Sequence, residues 1–168
     1  LFPTDLFRSG ASAFYRVTEK LKDFLLNSPD VRTCTYGDIT QVDLNKQDMF
    51  PLSHIMVNSA VLEKGVIRFN VSILSMDIVW QSKANPEATE FDILMYGLDN
   101  EQDVLNTQLK VINLLNESMA RYTMRADLFE LVGQGTCEPF HDRFENDLAG
   151  WAYTFDVYVK NNIDVCQN

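Results

Sequence analysis

The spacing of apolar residues changes period at Asn27-Ser28-Pro29, and that change limits the fold more than any other feature of the chain. Before it, Phe7, Phe14, Val17, Leu21, Phe24 and Leu25 recur at steps of three and four, the signature of one apolar helix face, so a helix is expected over about residues 5–26. Arg8, Arg16, Lys20 and Lys22 take much of the remaining surface, and Thr4 is placed to cap the start. Pro29 disfavours helix at the residue before it, and its ring blocks continuation. Beyond it the period is two. Residues 31–36 are expected as a strand that breaks at Gly37-Asp38 and resumes through Ile39 and Val42. Ile55, Val57, Ser59 and Val61 then alternate with His54, Met56, Asn58 and Ala60. Past Glu63-Lys64-Gly65, Ile67, Phe69, Val71 and Ile73 alternate with Arg68, Asn70, Ser72 and Leu74. This pattern predicts a β-hairpin with one wet and one buried face, and it places His54 at the surface.

Past Ile73 both phases become apolar through Leu74, Met76, Ile78 and Trp80, as expected where the outer side of a strand becomes covered. The polar stretch 81–90 reads as a loop or an open arm, so residues 74–96 form a hairpin extension or loop. Asn100 is placed to cap a second helix that runs to about Arg121, with Leu105, Leu109, Ile112 and Met119 as its expected buried face. Glu101 and Asp103 near its start and Arg121 and Arg125 near its end suit the helix dipole. The last third returns to alternation. Residues 128–132 are expected as a strand, Gly133-Gln134-Gly135 as a turn and residues 144–150 as a connection. Trp151, Tyr153, Phe155, Val157 and Val159 then mark one face of a final strand. The order is helix, three strands, helix, two strands. Grouped elements of this kind predict one α+β domain over residues 1–168, a mainly antiparallel sheet with two helices packed on one face.

Composition narrows the function. The chain of 168 residues carries a net charge of −10, so tight, sequence-blind binding to nucleic acid is disfavoured. No apolar run reaches the length of a membrane span, and no basic-then-apolar leader follows Leu1, so neither a span nor a signal peptide is expected. Cys34, Cys137 and Cys166 are odd in number and widely spaced, which favours reduced thiols over a disulfide framework or a zinc site.

Glu138, His141, Asp142 and Glu145 form the best candidate for chemistry, that of a small metal-dependent hydrolase as the alternative function, because these side chains suit a divalent metal and three of them would share a helix face. Pro139 interrupts that face and only one histidine is present, so neither a metal nor another cofactor is expected. Cys137 and His141 could pair, but no third group is in place to orient them. No nucleophile elbow and no glycine-rich phosphate loop occurs, and a chain of this kind is not expected to be an enzyme. Asp127, Glu130, Glu138, Asp142, Glu145, Asp147 and Asp156 are accompanied by one base, Arg143. This acidity fits a solvated face or, more sharply, a surface that DNA passes without sticking.

Three stretches resemble the tail terminator, or tail completion, proteins of tailed bacteriophages. They are the first helix with the strand group ending in Ser75-Met76-Asp77-Ile78-Val79, the helix stretch Asp103-Val104-Leu105-Asn106-Thr107-Gln108-Leu109, and Glu138-Pro139-Phe140-His141-Asp142-Arg143-Phe144-Glu145-Asn146-Asp147-Leu148-Ala149-Gly150-Trp151. The resemblance implies a virion neck protein without catalytic activity or cofactor, assembled in a bacterial host. It also implies a ring, typically a hexamer, that caps the tail tube, docks the connector on the head side and leaves a channel for DNA. In short-tailed phages a similar domain serves as a ring or adaptor between portal and tail hub. On this reading Leu74, Met76, Ile78, Trp80, Phe91, Met95 and Tyr96 are expected at the subunit interface, the alternative being that they complete the core of the monomer, and Asp142, Glu145 and Asp147 are expected along the channel.

Overall fold

The computed structural model describes residues 13–44, 46–79, 101–121, 129–143 and 147–160, with the side chains of Asp142 and Arg143 left aside. In chain order the elements are helix α1 (Ala13–Leu26), strand β1 (Thr33–Tyr36), 3-10 turns at Ile39–Gln41 and Gln47–Met49, strands β2 (Leu52–Glu63) and β3 (Val66–Ile78), helix α2 (Glu101–Arg121), and strands β4 (Phe129–Arg143) and β5 (Asp147–Lys160). One five-stranded sheet runs in the order β1-β2-β3-β5-β4. All its pairings are antiparallel except β1 with β2. The fold is therefore α+β with a mainly antiparallel sheet.

Period two decides which side of the sheet the helices cover. Ile55, Phe69, Val71, Ile73, Tyr153, Phe155, Val157 and Val159 point to one face and meet Val17, Leu21 and Leu25 of α1 and Val111, Ile112, Leu115 and Met119 of α2. Each fully buried side chain of this kind contributes about 1.5–3 kcal/mol, so this layer dominates the stability. Phe24 packs at its margin, whereas Phe14, expected in the stripe, is 48% exposed at the start of α1. Residues 5–12 of the expected helix lie outside the described residues.

Several expectations need correction. Ile39 and Val42 do not resume a strand; the chain turns away from the sheet at Gly37, whose φ of 105° suits glycine. The expected hairpin forms between β2 and β3 with its turn at Lys64-Gly65, but its alternation slips. Val57 faces Val71 while Ser59 faces Asn70, so β2 carries one extra residue. A one-residue bulge reverses the face of everything after it. Val61 consequently pairs with Arg68 and Leu62 with Ile67.

The docked face of α2 is also turned from the expected one. Val104, Gln108, Val111, Ile112, Leu115, Ser118 and Met119 are buried, while Leu109 is 37% exposed and Leu105 is half-buried. Gln108 and Ser118 explain the difference, because a search for apolar residues alone passes over them. Ser75 Oγ donates to Gln108 Oε1 at 2.6 Å and so draws that polar side chain under the helix. Gly133-Gln134-Gly135 is not a hairpin turn but an irregularity inside β4. Between Val132 and Thr136 this strand spends four residue steps where β5 spends two, so the faces stay in phase. Residues 147–150 belong to β5 rather than to a connection.

Candidate functional site

The second face of the sheet splits into two regions. Near the hairpin turn it is polar. Asn58 Nδ2 donates to Asn70 Oδ1 and Ser72 Oγ at 2.9 and 2.8 Å, Asn70 Nδ2 donates to Asp156 Oδ1 at 2.8 Å, and Ser72 and Thr154 hydroxyls lie 3.0 Å apart. A cross-strand ladder of this kind is satisfied internally and offers water a hydrophilic plane.

At the opposite end the same face is apolar and is covered by the segment between β1 and β2. Phe50, Leu52, Met76, Ile78 and Leu148 form a second core there, with Ile39, Val42, Leu44, Met49, Leu74 and Phe140 packed against it. This cover accounts for the apolar residues in both phases past Ile73. Met76 and Ile78, expected at a subunit interface, are 2% and 4% exposed and are used inside the monomer instead. Leu74 is half-buried and floors a cleft of about 790 Å³ between the sheet and residues 39–44. Trp80, Phe91, Met95 and Tyr96 lie outside the described residues. The signal for this cover was present in the sequence as the apolar series Ile39, Val42, Leu44, Met49 and Phe50, but it follows neither regular period.

His54 is not at the surface. Its side chain is fully buried beneath the β1–β2 pairing, with Nδ1 2.7 Å from Thr35 Oγ1 and Nε2 2.8 Å from the Gly37 carbonyl oxygen. The carbonyl can only accept, so Nε2 carries the proton and Nδ1 accepts from the threonine hydroxyl. Burial holds the ring below its ordinary titration range, with the Gly37 carbonyl and the Asp38 carboxylate pulling the other way. The histidine is thus a neutral clasp at the point where the chain leaves the sheet to cover its second face.

The proposed metal quartet does not assemble on a helix. Glu138 and His141 lie on β4, where residues three apart face opposite sides, and Glu145 lies outside the described residues. His141 instead stands between Glu101 at the start of α2 and Asp147 at the start of β5. Its Nδ1 is 3.3 Å from Glu101 Oε1, and its Nε2 is 3.6 Å from Asp147 Oδ1. The two carboxylates contact different ring nitrogens, so they flank the imidazole rather than converge on a common point. Among the described residues no group of three or more metal-ligating side chains comes together. Asp147, expected along a channel, is engaged with His141, while the side chains of Asp142 and Glu145 are outside the description.

Cys137 and His141 are four residues apart on one strand, about 13 Å along it, and form no dyad. The Cys137 thiol is pushed up by burial, and burial pushes Cys34 up to about 11 against the opposing pull of Lys22. Raised thiols are poor nucleophiles at neutral pH. Among the described residues no helix is long and apolar enough to cross a membrane.

What stands out on the surface of the described residues is a set of exposed apolar side chains. Beside β1 and the middle of β2, Phe14, Tyr15 and Tyr36 are 48%, 52% and 56% exposed, and Phe14 and Tyr36 border a groove of about 330 Å³ with Met56 and Val57. At the end of the hairpin Val61 is 43% and Leu62 78% exposed. A comparison with protein-family models and with curated proteins finds no match to this chain.

Proposed function

We propose that this chain is a structural subunit of a tailed-phage neck, forming a ring that completes the tail and joins it to the connector on the head side. The observation that supports this reading best is the placement of exposed aromatic and aliphatic side chains around a sheet edge that β1 covers only from Leu52 to Ile55 among the described residues. Such a surface suits assembly, because a closed ring needs two different patches of one subunit to meet. The net charge of −10 suits a bore through which DNA moves without adhering. In this role the partners are further copies of the chain, typically six to a ring, and the tube, hub or portal proteins above and below. A place between portal and tail hub of a short-tailed phage uses the same contacts.

Negative-stain electron microscopy and light scattering of the purified chain test the proposal. Annular particles of uniform size are expected. A particle that stays monomeric alone and is also missing from purified virions would remove the neck assignment. A second reading, a module that holds an apolar ligand, draws on the cleft over Leu74. It requires a monomer that takes up a neutral fluorescent dye, with uptake lost in a Leu74→Lys variant.

A further inference from the structure

The groove beside β1 combines aromatic surface with polar groups of one kind. Phe14 and Thr18 of α1, Tyr36 and Asp38 at the end of β1, and Met56 and Val57 of β2 border it. Phe14 and Tyr36 are both exposed. Among the described residues the paired rings are Phe14 with Tyr15 and Tyr153 with Phe155, so Phe14 and Tyr36 do not stack on each other.

The polar groups at the groove accept rather than donate. Thr18 has one hydroxyl proton, and it serves the helix itself, where the Phe14 and Tyr15 carbonyls lie 3.3 and 3.2 Å from Oγ1. Only its lone pairs remain for anything else. Asp38 Oδ1 accepts from the Thr40 N–H at 2.9 Å. That bond fixes the carboxylate and holds its titration below the ordinary value, so the group is charged at neutral pH. No lysine or arginine borders the groove, and among the described residues none pairs with Asp38. The rim is also set in advance. His54 Nε2 donates to the Gly37 carbonyl at 2.8 Å, and the Gly37 N–H donates to the Ile55 carbonyl at 3.0 Å. A site held in this way loses little freedom when it is filled.

These features select the chemistry of an occupant. An anion is repelled by Asp38, and a purely apolar side chain leaves the carboxylate unused. A flat cation uses both parts, since its face is drawn to an aromatic ring and its N–H groups fork onto a carboxylate. Guanidinium does this better than ammonium, because it is planar and more weakly hydrated. A volume of about 330 Å³ is at the lower limit for ligand pockets and suits one extended side chain. The net charge of −10 favours the approach of a basic partner.

We propose that this groove seats an arginine side chain of a partner protein, its guanidinium resting on the Phe14 and Tyr36 rings and paired with the Asp38 carboxylate. The contact goes beyond the ring reading and does not depend on it.

Amide NMR of the intact chain tests it with a blocked Gly-Arg-Gly peptide and with its citrulline counterpart, which keeps the shape and loses the charge. The arginine peptide should shift the amides of Tyr36, Gly37 and Asp38 and saturate at roughly millimolar concentration, as expected for one side chain. The citrulline peptide should not. Asp38→Asn keeps an acceptor for the Thr40 N–H and removes the charge, while Tyr36→Leu keeps apolar bulk and removes the ring. Each should weaken binding by about two- to fivefold without changing the melting temperature. Equal shifts from the two peptides, undiminished binding in both variants, or no shift well above millimolar peptide would overturn the assignment. Binding that appears only after Arg8→Gln would mean that the chain's own arginine takes the place, and would also overturn a partner. Each of these results leaves ring formation to its own test, so the groove and the neck reading fail separately.

Discussion

Acidification should weaken this fold through His54, and the size of the effect can be worked out from its surroundings. The ring is fully buried, and both nitrogens are engaged in the neutral form. Its folded titration point lies below the ordinary 6.5 because burial penalises the charged ring. Above pH 6.5 the ring is neutral in folded and unfolded chains alike, and the linkage contributes nothing. Below 6.5 the unfolded chain takes up a proton that the folded chain refuses, so stability falls with pH until the folded ring titrates. The slope for one such group approaches about 1.4 kcal/mol per pH unit. Urea unfolding at half-unit steps from pH 7.5 to 5 measures it, with His54→Phe as the reference. The variant should lose about 1–3 kcal/mol at pH 7.5, because the Gly37 carbonyl and the Thr35 hydroxyl lose their partner. The gap between variant and wild type should then narrow as the pH drops, since the variant has no imidazole at 54 to charge. An equal pH slope in both proteins would refute the buried neutral clasp.

Other outcomes follow from the same coordinates. Gly150→Ala should cost about 3 kcal/mol or more in chemical denaturation, because the added carbon would overlap the Ser75 carbonyl oxygen and stand 2.8 Å from the Met76 Cα, both on the backbone of central strand β3. A loss below about 1 kcal/mol would show that the β3–β5 approach is looser than described. Cys34 should react with iodoacetamide at pH 8 far more slowly in the folded protein than in urea, since its thiol is pushed up to about 11; equal rates would contradict its burial. Calorimetry with zinc should show no micromolar site, because the His141 ring separates its two carboxylates; strong binding abolished by His141→Ala would reverse that conclusion. On the ring reading, Glu145→Lys with Asp147→Lys should slow DNA ejection from particles whose rings still assemble. Unchanged ejection would remove those two acids from the bore.

The elements that could be read from the sequence are those in which one physical signal acts alone. Alternation is regular in β3 as far as Ile73 and in β5 from Trp151 onward, so those stretches were legible as strands, whereas residues 147–150 at the start of β5 were not. Lys64-Gly65 breaks the period cleanly, and α2 has acids at its first turn and a base at its last. Legibility ended where two signals compete or where a partner comes from a distant part of the chain. Asn58 looks like any outward residue of an alternating strand, yet the extra residue beside it turns Val61 and Leu62 over. Gly133-Gln134-Gly135 has the composition of a turn, but β5 runs alongside on both sides of it, so the chain bulges there and rejoins the same ladder at Thr136 instead of reversing. His54 has an ordinary surface pattern and is buried because Thr35 and Gly37 arrive with β1.

The candidate surfaces divide in the same way. Acidity and the lack of nucleophile motifs are properties of composition, and they could be read without coordinates. That Met76 and Ile78 serve the monomer, while Leu62 and Phe14 do not, depends on which distant segment lies over them. Periodicity, turn chemistry and charge are local, so the order of residues determined the strands, the helices and the class of fold. Strand order, the parallel β1 and the covered second face are agreements between residues far apart in the chain, and only the folded molecule decided them, because burial is a property of neighbours in space.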